Sequence, residues 1–267
     1  MSIWIKICGN TSLEDALVAV EAGVPADRSS SVGWEAGVPT DRSSSVGWEA
    51  GVPTDRSSSV GWKAGADAVG FVFAPSPRRV TPAEVAAITP HLPATVEKIG
   101  VFVDAGLEEI VSTVQLCGLT GVQLHFDAEP ELPARLHERL GPELRVLRVV
   151  HFSAESAAQH AAQIAEHARN PHVDAVLMDS RTATAVGGTG LAFDWEAARK
   201  TLLQNTGAPM RIVAAGGLTP ANVAEAIAML RPWGVDAVSG VETAPGRKDP
   251  AKVREFIRRA RSGNPAS

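Results

Sequence analysis

Short runs of valine and isoleucine alternate with helical stretches from one end of this 267-residue chain to the other. That alternation limits the fold more than any other feature. Strand signals fall at 3–7, 67–73, 98–103, 121–124, 144–150, 173–178, 211–214 and 235–238. These runs are rich in β-branched residues and too short to be ordinary helices. Helical spacing of apolar residues, or a helix-starting signal, follows at 13–23, Pro82–Ile88, 107–116 and 130–140. It recurs at 154–168, behind a capping Asp194, behind Pro220 as a first helical residue, and at 250–261. Strands joined through helices must run parallel, and a parallel sheet needs helices to cover it. Eight such units predict an α/β fold, a closed (β/α)8 TIM barrel.

The alternation breaks once. Residues 21–34 read EAGVPADRSSSVGW, 35–48 read EAGVPTDRSSSVGW, and 49–62 repeat the second copy unchanged. A 14-residue period is shorter than the repeats that stack into solenoids, and each copy offers only valine and tryptophan for packing. One proline, two glycines, an Asp-Arg pair and three serines per copy cannot bury enough apolar surface to offset the ordering of the chain. The 42 residues are read as a tandem insertion, expected to be a mobile loop between the first helix and the second strand. The 225 residues that remain suit one barrel domain over 1–267.

Composition narrows the function classes. A formal charge of −5 with no long basic stripe speaks against a nucleic-acid binder. No apolar run approaches the length of a membrane span, and the N-terminus lacks the layout of a signal peptide. Two cysteines, Cys8 and Cys117, make neither a disulfide framework nor a zinc pattern. The expectation is a soluble cytoplasmic protein with no metal site.

In such barrels the active site lies where the strands end. The first strand stops at Cys8, before the turn pair Gly9-Asn10 and a Thr11-x-x-Glu14 capping-box spacing. A thiol so placed is expected to gain thiolate character from the helix terminus, although an arbitrary cysteine is more often a small buried apolar residue. Asp179 ends the sixth strand, as a second proton-transfer candidate or as a turn cap. Arg78 follows the second strand and can grip a carboxylate with its fork, or simply lie in solvent beside Arg79. Gln123 and His125 close the fourth strand and are expected to support the site rather than react. Gly187-Gly188-Thr189-Gly190, Gly216-Gly217 and Ser239-Gly240 follow strands six, seven and eight. Bare backbone amides at consecutive strand ends point to a phosphate site.

The segments KICGN, GFVFAPSPR, IGVFVD, GVQLH, LMDS, GGTG-x-x-FDW, AAGGL-x-PxNV and DAVSGVE-x-x-PGRKD stand in this order along the chain. Together they resemble the phosphoribosylanthranilate isomerase family of tryptophan biosynthesis over essentially everything outside 21–62. The resemblance implies an Amadori rearrangement of N-(5-phosphoribosyl)anthranilate to 1-(2-carboxyphenylamino)-1-deoxyribulose 5-phosphate. It implies no cofactor, and a phosphorylated small molecule as the partner of a monomer or homodimer. By the same resemblance Cys8 is the general base, Asp179 the general acid and Arg78 the holder of the substrate carboxylate. Gly188, Gly190, Gly216, Gly217, Ser239 and Gly240 correspond to the phosphate loops. Two departures stand out. Phe126 follows His125 where the family has glycine, and the loop before Arg78 is one residue short, which leaves Arg79 as an alternative. Two rival functions are a sister isomerase of histidine biosynthesis and a non-catalytic barrel that uses the repeats for interaction. The first is expected to carry a carboxylate where this chain has Cys8.

Overall fold

The computed structural model describes residues 2–22, 65–125, 129–152, 156–179, 199 and 210–263. Eight parallel strands close into a barrel in sequence order. They are β1 (Trp4–Ile7), β2 (Ala68–Val72), β3 (Glu97–Val103), β4 (Gly121–His125), β5 (Arg145–His151), β6 (Ala175–Asp179), β7 (Arg211–Ala215) and β8 (Gly234–Ala237). The helices are α1 (Leu13–Glu21), α2 (Pro82–Ile88), α3 (Leu107–Cys117), α4 (Leu132–Leu140), α5 (Ala157–Arg169), α6 (Val223–Leu230) and α7 (Pro250–Ser262). The helix expected behind Asp194, the repeats at 23–62, Gly188, Gly190 and Phe126 lie outside the described residues.

Alternation along each strand divides the apolar residues into two cores. Ile3, Ile5 and Ile7 point outward and join Val69, Phe71, Val122, Val146 and the inner faces of the helices. Trp4, Ala68, Ile99, Leu147, Ala175 and Val213 pack inside the barrel, with Trp4 stacked on Trp233 at 5.0 Å. Register locks this arrangement. Trp4 pairs with Gly234, where a side chain would come within 2.8 Å of the indole, and two residues on Lys6 pairs with Asp236.

Three local readings change. The N-cap of α1 is Ser12, not Thr11. Its hydroxyl accepts from the Asp15 amide at 3.1 Å and donates to the Asp15 carboxylate at 2.8 Å. Thr11 instead donates to the Gly246 carbonyl at 2.7 Å, a tertiary contact that adjacent sequence does not reveal. Pro220 lies in a turn before α6, which begins at Val223, because the Asn222 side chain accepts from the Thr219 amide and closes that turn. The segment after β8 is not a simple loop. A 3-10 turn at Ser239–Val241 leads into a hairpin of β9 (Glu242–Ala244) and β10 (Arg247–Lys248).

The two ends of the expected insertion meet in space. The Ala66 amide donates to the Ala19 carbonyl at 3.0 Å. Gly65 sits so close to Val20 that a side chain there would overlap its carbonyl. Arg261 of α7 ties the re-entering chain down by bonding the Gly65 carbonyl and the Asp67 carboxylate.

Candidate active site

The C-terminal ends of the strands surround a cavity of about 220 Å³. Cys8, Arg78, Gln123, His125, Asp179, Gly216, Gly217, Ser239 and Gly240 all line it. Residues spread over more than 230 positions therefore share one wall, as strand-end placement requires.

Cys8 is 4% exposed and rigidly set. Its amide donates to Ala237, while the amides of Gly9 and Asn10 both donate to the Gly70 carbonyl. The Asn10 side chain, fully buried, adds bonds to the Ile7 and Gly70 carbonyls. Gly9 has φ +75 and lies against Arg78, so that turn favours glycine for both conformation and space. These contacts overturn the expected source of thiolate character. The amides after Cys8 already have partners, and α1 starts only at Leu13. Burial raises the Cys8 thiol above its ordinary value; the Lys6 ammonium opposes this, and the Asp236 carboxylate reinforces it.

Lys6 is the unexpected member of the site. Its side chain is completely buried, with Nζ 2.8 Å from Gln123 Oε1 and 3.2 Å from Asp236 Oδ2. Burial works against its charge, but Asp236 and Cys8 outweigh that and raise its pKa. The Gln123 amide nitrogen in turn lies 2.9 Å from His125 Nε2, and both residues line the cavity. A lysine inside an otherwise apolar strand was a visible signal, and an aspartate in the last strand was its counterpart. The strand pairing that joins them was not visible.

Arg78 faces the cavity, whereas Arg79 is exposed and bridges back to Val72 through its backbone. The Arg78 fork is held by Glu242: Nε lies 2.8 Å from Oε1 and Nη2 2.6 Å from Oε2. Lys248, also buried, donates to Glu242 Oε1 at 3.0 Å and to the Cys8 carbonyl at 2.6 Å. Burial pushes the Glu242 carboxyl upward, yet Arg78 and Lys248 prevail and hold it below the usual range. The hairpin thus ties the arginine to the end of the cysteine strand. Glu242 and Lys248 both stand in the segment DAVSGVE-x-x-PGRKD, but sequence reasoning assigned neither of them a role.

Asp179 closes β6 at 2% exposure. On the neighbouring strand, whose Ala215 pairs with Asp179, Gly216 and Gly217 follow β7 with φ +83 and +65, a left-handed pair that bends the chain along the rim. Gly240 has no room for a side chain, since a Cβ would overlap the Leu218 carbonyl.

A family model described as N-(5'phosphoribosyl)anthranilate (PRA) isomerase matches residues 51–259. The chain belongs to that family. The model match begins after Cys8, and the relatives cover more of the chain. The N-(5'-phosphoribosyl)anthranilate isomerase of Pelobacter propionicus is 38% identical over 260 residues, covering 97% of this chain and 96% of its own. That of Geobacter sulfurreducens is 38% identical, covering 96% and 98%. Among solved structures, the phosphoribosyl anthranilate isomerase of Thermotoga maritima superimposes with a TM-score of 0.72 at 31% identity, covering 97% and 99%. Another isomerase of the family, in complex with reduced 1-(o-carboxyphenylamino)-1-deoxyribulose 5-phosphate, gives 0.67 at 30% identity, with the same coverage. These similarities run through the barrel, and family membership speaks against the histidine-pathway and non-catalytic alternatives.

Proposed function

We infer that this chain isomerises N-(5-phosphoribosyl)anthranilate to 1-(2-carboxyphenylamino)-1-deoxyribulose 5-phosphate, with Cys8 and Asp179 moving the protons. The observation that carries this reading is the convergence of Cys8, Asp179, Arg78 and the strand-seven and strand-eight glycines on one cavity. The chain is an isomerase of tryptophan biosynthesis, and we place its work in the cytoplasm. Among the described residues no helix is long and apolar enough to cross a membrane.

Asp179 gives its proton to the ribose ring oxygen as the C1–O bond breaks, which leaves an iminium at C1. The Cys8 thiolate then removes the C2 proton, and the C–H electron pair forms the enolamine while the iminium nitrogen becomes neutral. Tautomerisation to the ketone at C2 completes the aminoketone, and passage of the proton from the Cys8 thiol back to the Asp179 carboxylate returns both groups to their starting states. A thiol and a carboxylic acid differ in ordinary pKa by more than four units, so their surroundings must bring them together for that exchange.

Arg78 orients the substrate carboxylate. Glu242 takes Nε and Nη2, which leaves Nη1 for the ligand and fixes the plane of the guanidinium beforehand. Gly216, Gly217, Ser239 and Gly240 supply backbone amides to the phosphate, a role that suits the mouth of strands seven and eight. Gly188 and Gly190 belong to the same proposed cradle. A monomer and a homodimer would each carry this site whole, because every group named comes from one chain.

The deciding experiment supplies N-(5-phosphoribosyl)anthranilate to purified protein and follows the fall of anthranilate-type fluorescence. Turnover that disappears with excess product analogue supports the reading; an inert, folded protein refutes it.

A further inference from the structure

We propose that Lys6 is a positioning residue for Cys8, its buried ammonium serving as the fixed counter-charge of the thiolate. The proposal rests on the reading of Cys8 as the base and goes one step deeper into the same site. A lysine with no exposure is costly unless each of its donors is matched. Two go to Gln123 Oε1 and Asp236 Oδ2, and the lysine stem runs beside the Cys8 thiol where both pack against Gly70. Strand β2 is shaped around this pair. At Gly70 a Cβ would lie 2.5 Å from Cys8 Sγ and 3.0 Å from Lys6 Cε, so any side chain there would drive the two apart.

The charges around the thiol show why Lys6 matters among them. Lys6 packs beside it from its own strand, Asp236 of β8, Asp179 of β6, His125 of β4 and Arg78 line the same cavity, and Lys248 reaches the Cys8 carbonyl. Arg78 is committed to Glu242, and Lys248 bonds the Cys8 carbonyl rather than its sulfur. The turn amides of Gly9 and Asn10 that might have served are both occupied by the Gly70 carbonyl. Lys6 is therefore the cation packed beside the sulfur among the described residues, and it opposes the burial that raises the thiol. Asp236 has two opposing effects: it holds Lys6 charged, and it repels the thiolate.

A purely structural lysine, filling the barrel and answering Asp236, would leave the thiol's titration alone. The test is alkylation of Cys8 by iodoacetamide as a function of pH, read by peptide mass spectrometry. Cys117, buried in α3, serves as an internal control. In Lys6→Met the alkylation midpoint should rise by roughly 1–3 pH units, as for loss of an adjacent opposite charge. Alkylation near neutrality then slows by about tenfold or more, and the acidic limb of kcat/KM moves the same way. Asp236→Asn should shift the midpoint downward. An unchanged midpoint in folded Lys6→Met overturns the proposal. If Lys6→Met does not fold, the double variant Lys6→Met/Asp236→Asn is compared with Asp236→Asn alone. A higher midpoint in the double variant supports the proposal, and an equal one overturns it. Because alkylation needs no substrate, a protein that shows the shift but not turnover keeps the Lys6–Cys8 coupling and loses the isomerase reading. Turnover without the shift does the reverse.

Discussion

The two ends of the barrel interior use the same strands for opposite purposes. At the N-terminal end Trp4 stacks on Trp233 and packs with Ile99, Leu147, Ala175 and Val213, an apolar plug. One pleat further, Lys6 replaces Trp4 on β1 and Asp236 replaces Gly234 on β8, and the interior becomes a network of buried charge. A period of two residues puts both sets on the inward face. The difference teaches that stability and reactivity are separated along each strand by only about 7 Å of rise. The apolar plug contributes through area removed from water. The charged end contributes little net stability, because desolvating its ions offsets most of their attraction.

The largest effects should come from the reactive end. Cys8→Ala and Asp179→Asn should each lower kcat by roughly two to four orders of magnitude, as for general acid–base groups. Melting temperature should hardly move, since neither substitution removes much packed volume. Near-normal turnover in either variant would break the assignment of roles. The opposite end should answer in the opposite way. Trp4→Ala empties a site that is 7% exposed and should cost about 3–5 kcal/mol of stability. Its kcat per folded molecule should stay near that of the parent; a large fall would mean that the two ends are not separable.

Acid should distinguish the ends more gently. The Glu242 carboxyl is held below its usual range in the folded chain, so the folded state binds fewer protons than the unfolded one. Its contribution is complete above the ordinary glutamate pKa of about 4.3. It is lost as pH falls through the lower folded value. The stability gap between the parent and Glu242→Gln should therefore narrow on acidification below about pH 4, while the gap for Trp4→Ala should not. Chemical denaturation across that pH range would show whether the two gaps move together, which would contradict the electrostatic account.

The smallest effect concerns the repeats. We propose that residues 21–62 are a tolerated insertion at the stability end of the barrel, remote from the chemistry. The chain leaves and re-enters through adjacent residues, with the Ala66 amide on the Ala19 carbonyl. Joining Val20 to Lys63 therefore requires little rearrangement. Closing a loop some tenfold longer costs only roughly 2–3 kcal/mol, so the deletion should raise stability by no more than that and leave turnover intact. Measured beside the full chain, a marked loss of either would show that the repeats belong to the folded unit.

Much of the fold and site was legible beforehand, for reasons that particular residues make plain. The strands were readable because β-branched runs such as the one ending at Cys8 or at Asp179 are local signals, and helices such as Pro82–Ile88 begin at local caps. Cys8, Asp179, Arg78 and the glycine pairs could be selected once eight strand ends were counted, since the fold sends strand ends to one face. Choosing Arg78 over Arg79 needed the loop's path, which turns one arginine inward and leaves the other exposed. The Ser12 cap needed it too, because Thr11 is drawn away by Gly246.

By itself, then, the sequence determined the period of the chain, the number of its βα units and the chemical types standing at the strand ends. These depend on interactions within a few residues. The tertiary structure alone decided which charges meet. Lys6, Gln123 and Asp236 lie far apart along the chain and share one buried contact through barrel closure and strand register. Arg78, Glu242 and Lys248 meet only because the hairpin after β8 folds back over β1. A charge's partner is set by distance and burial, and neither is a property of the residue itself. That is why Cys8 could be singled out from a motif, whereas the direction in which its surroundings push it could not.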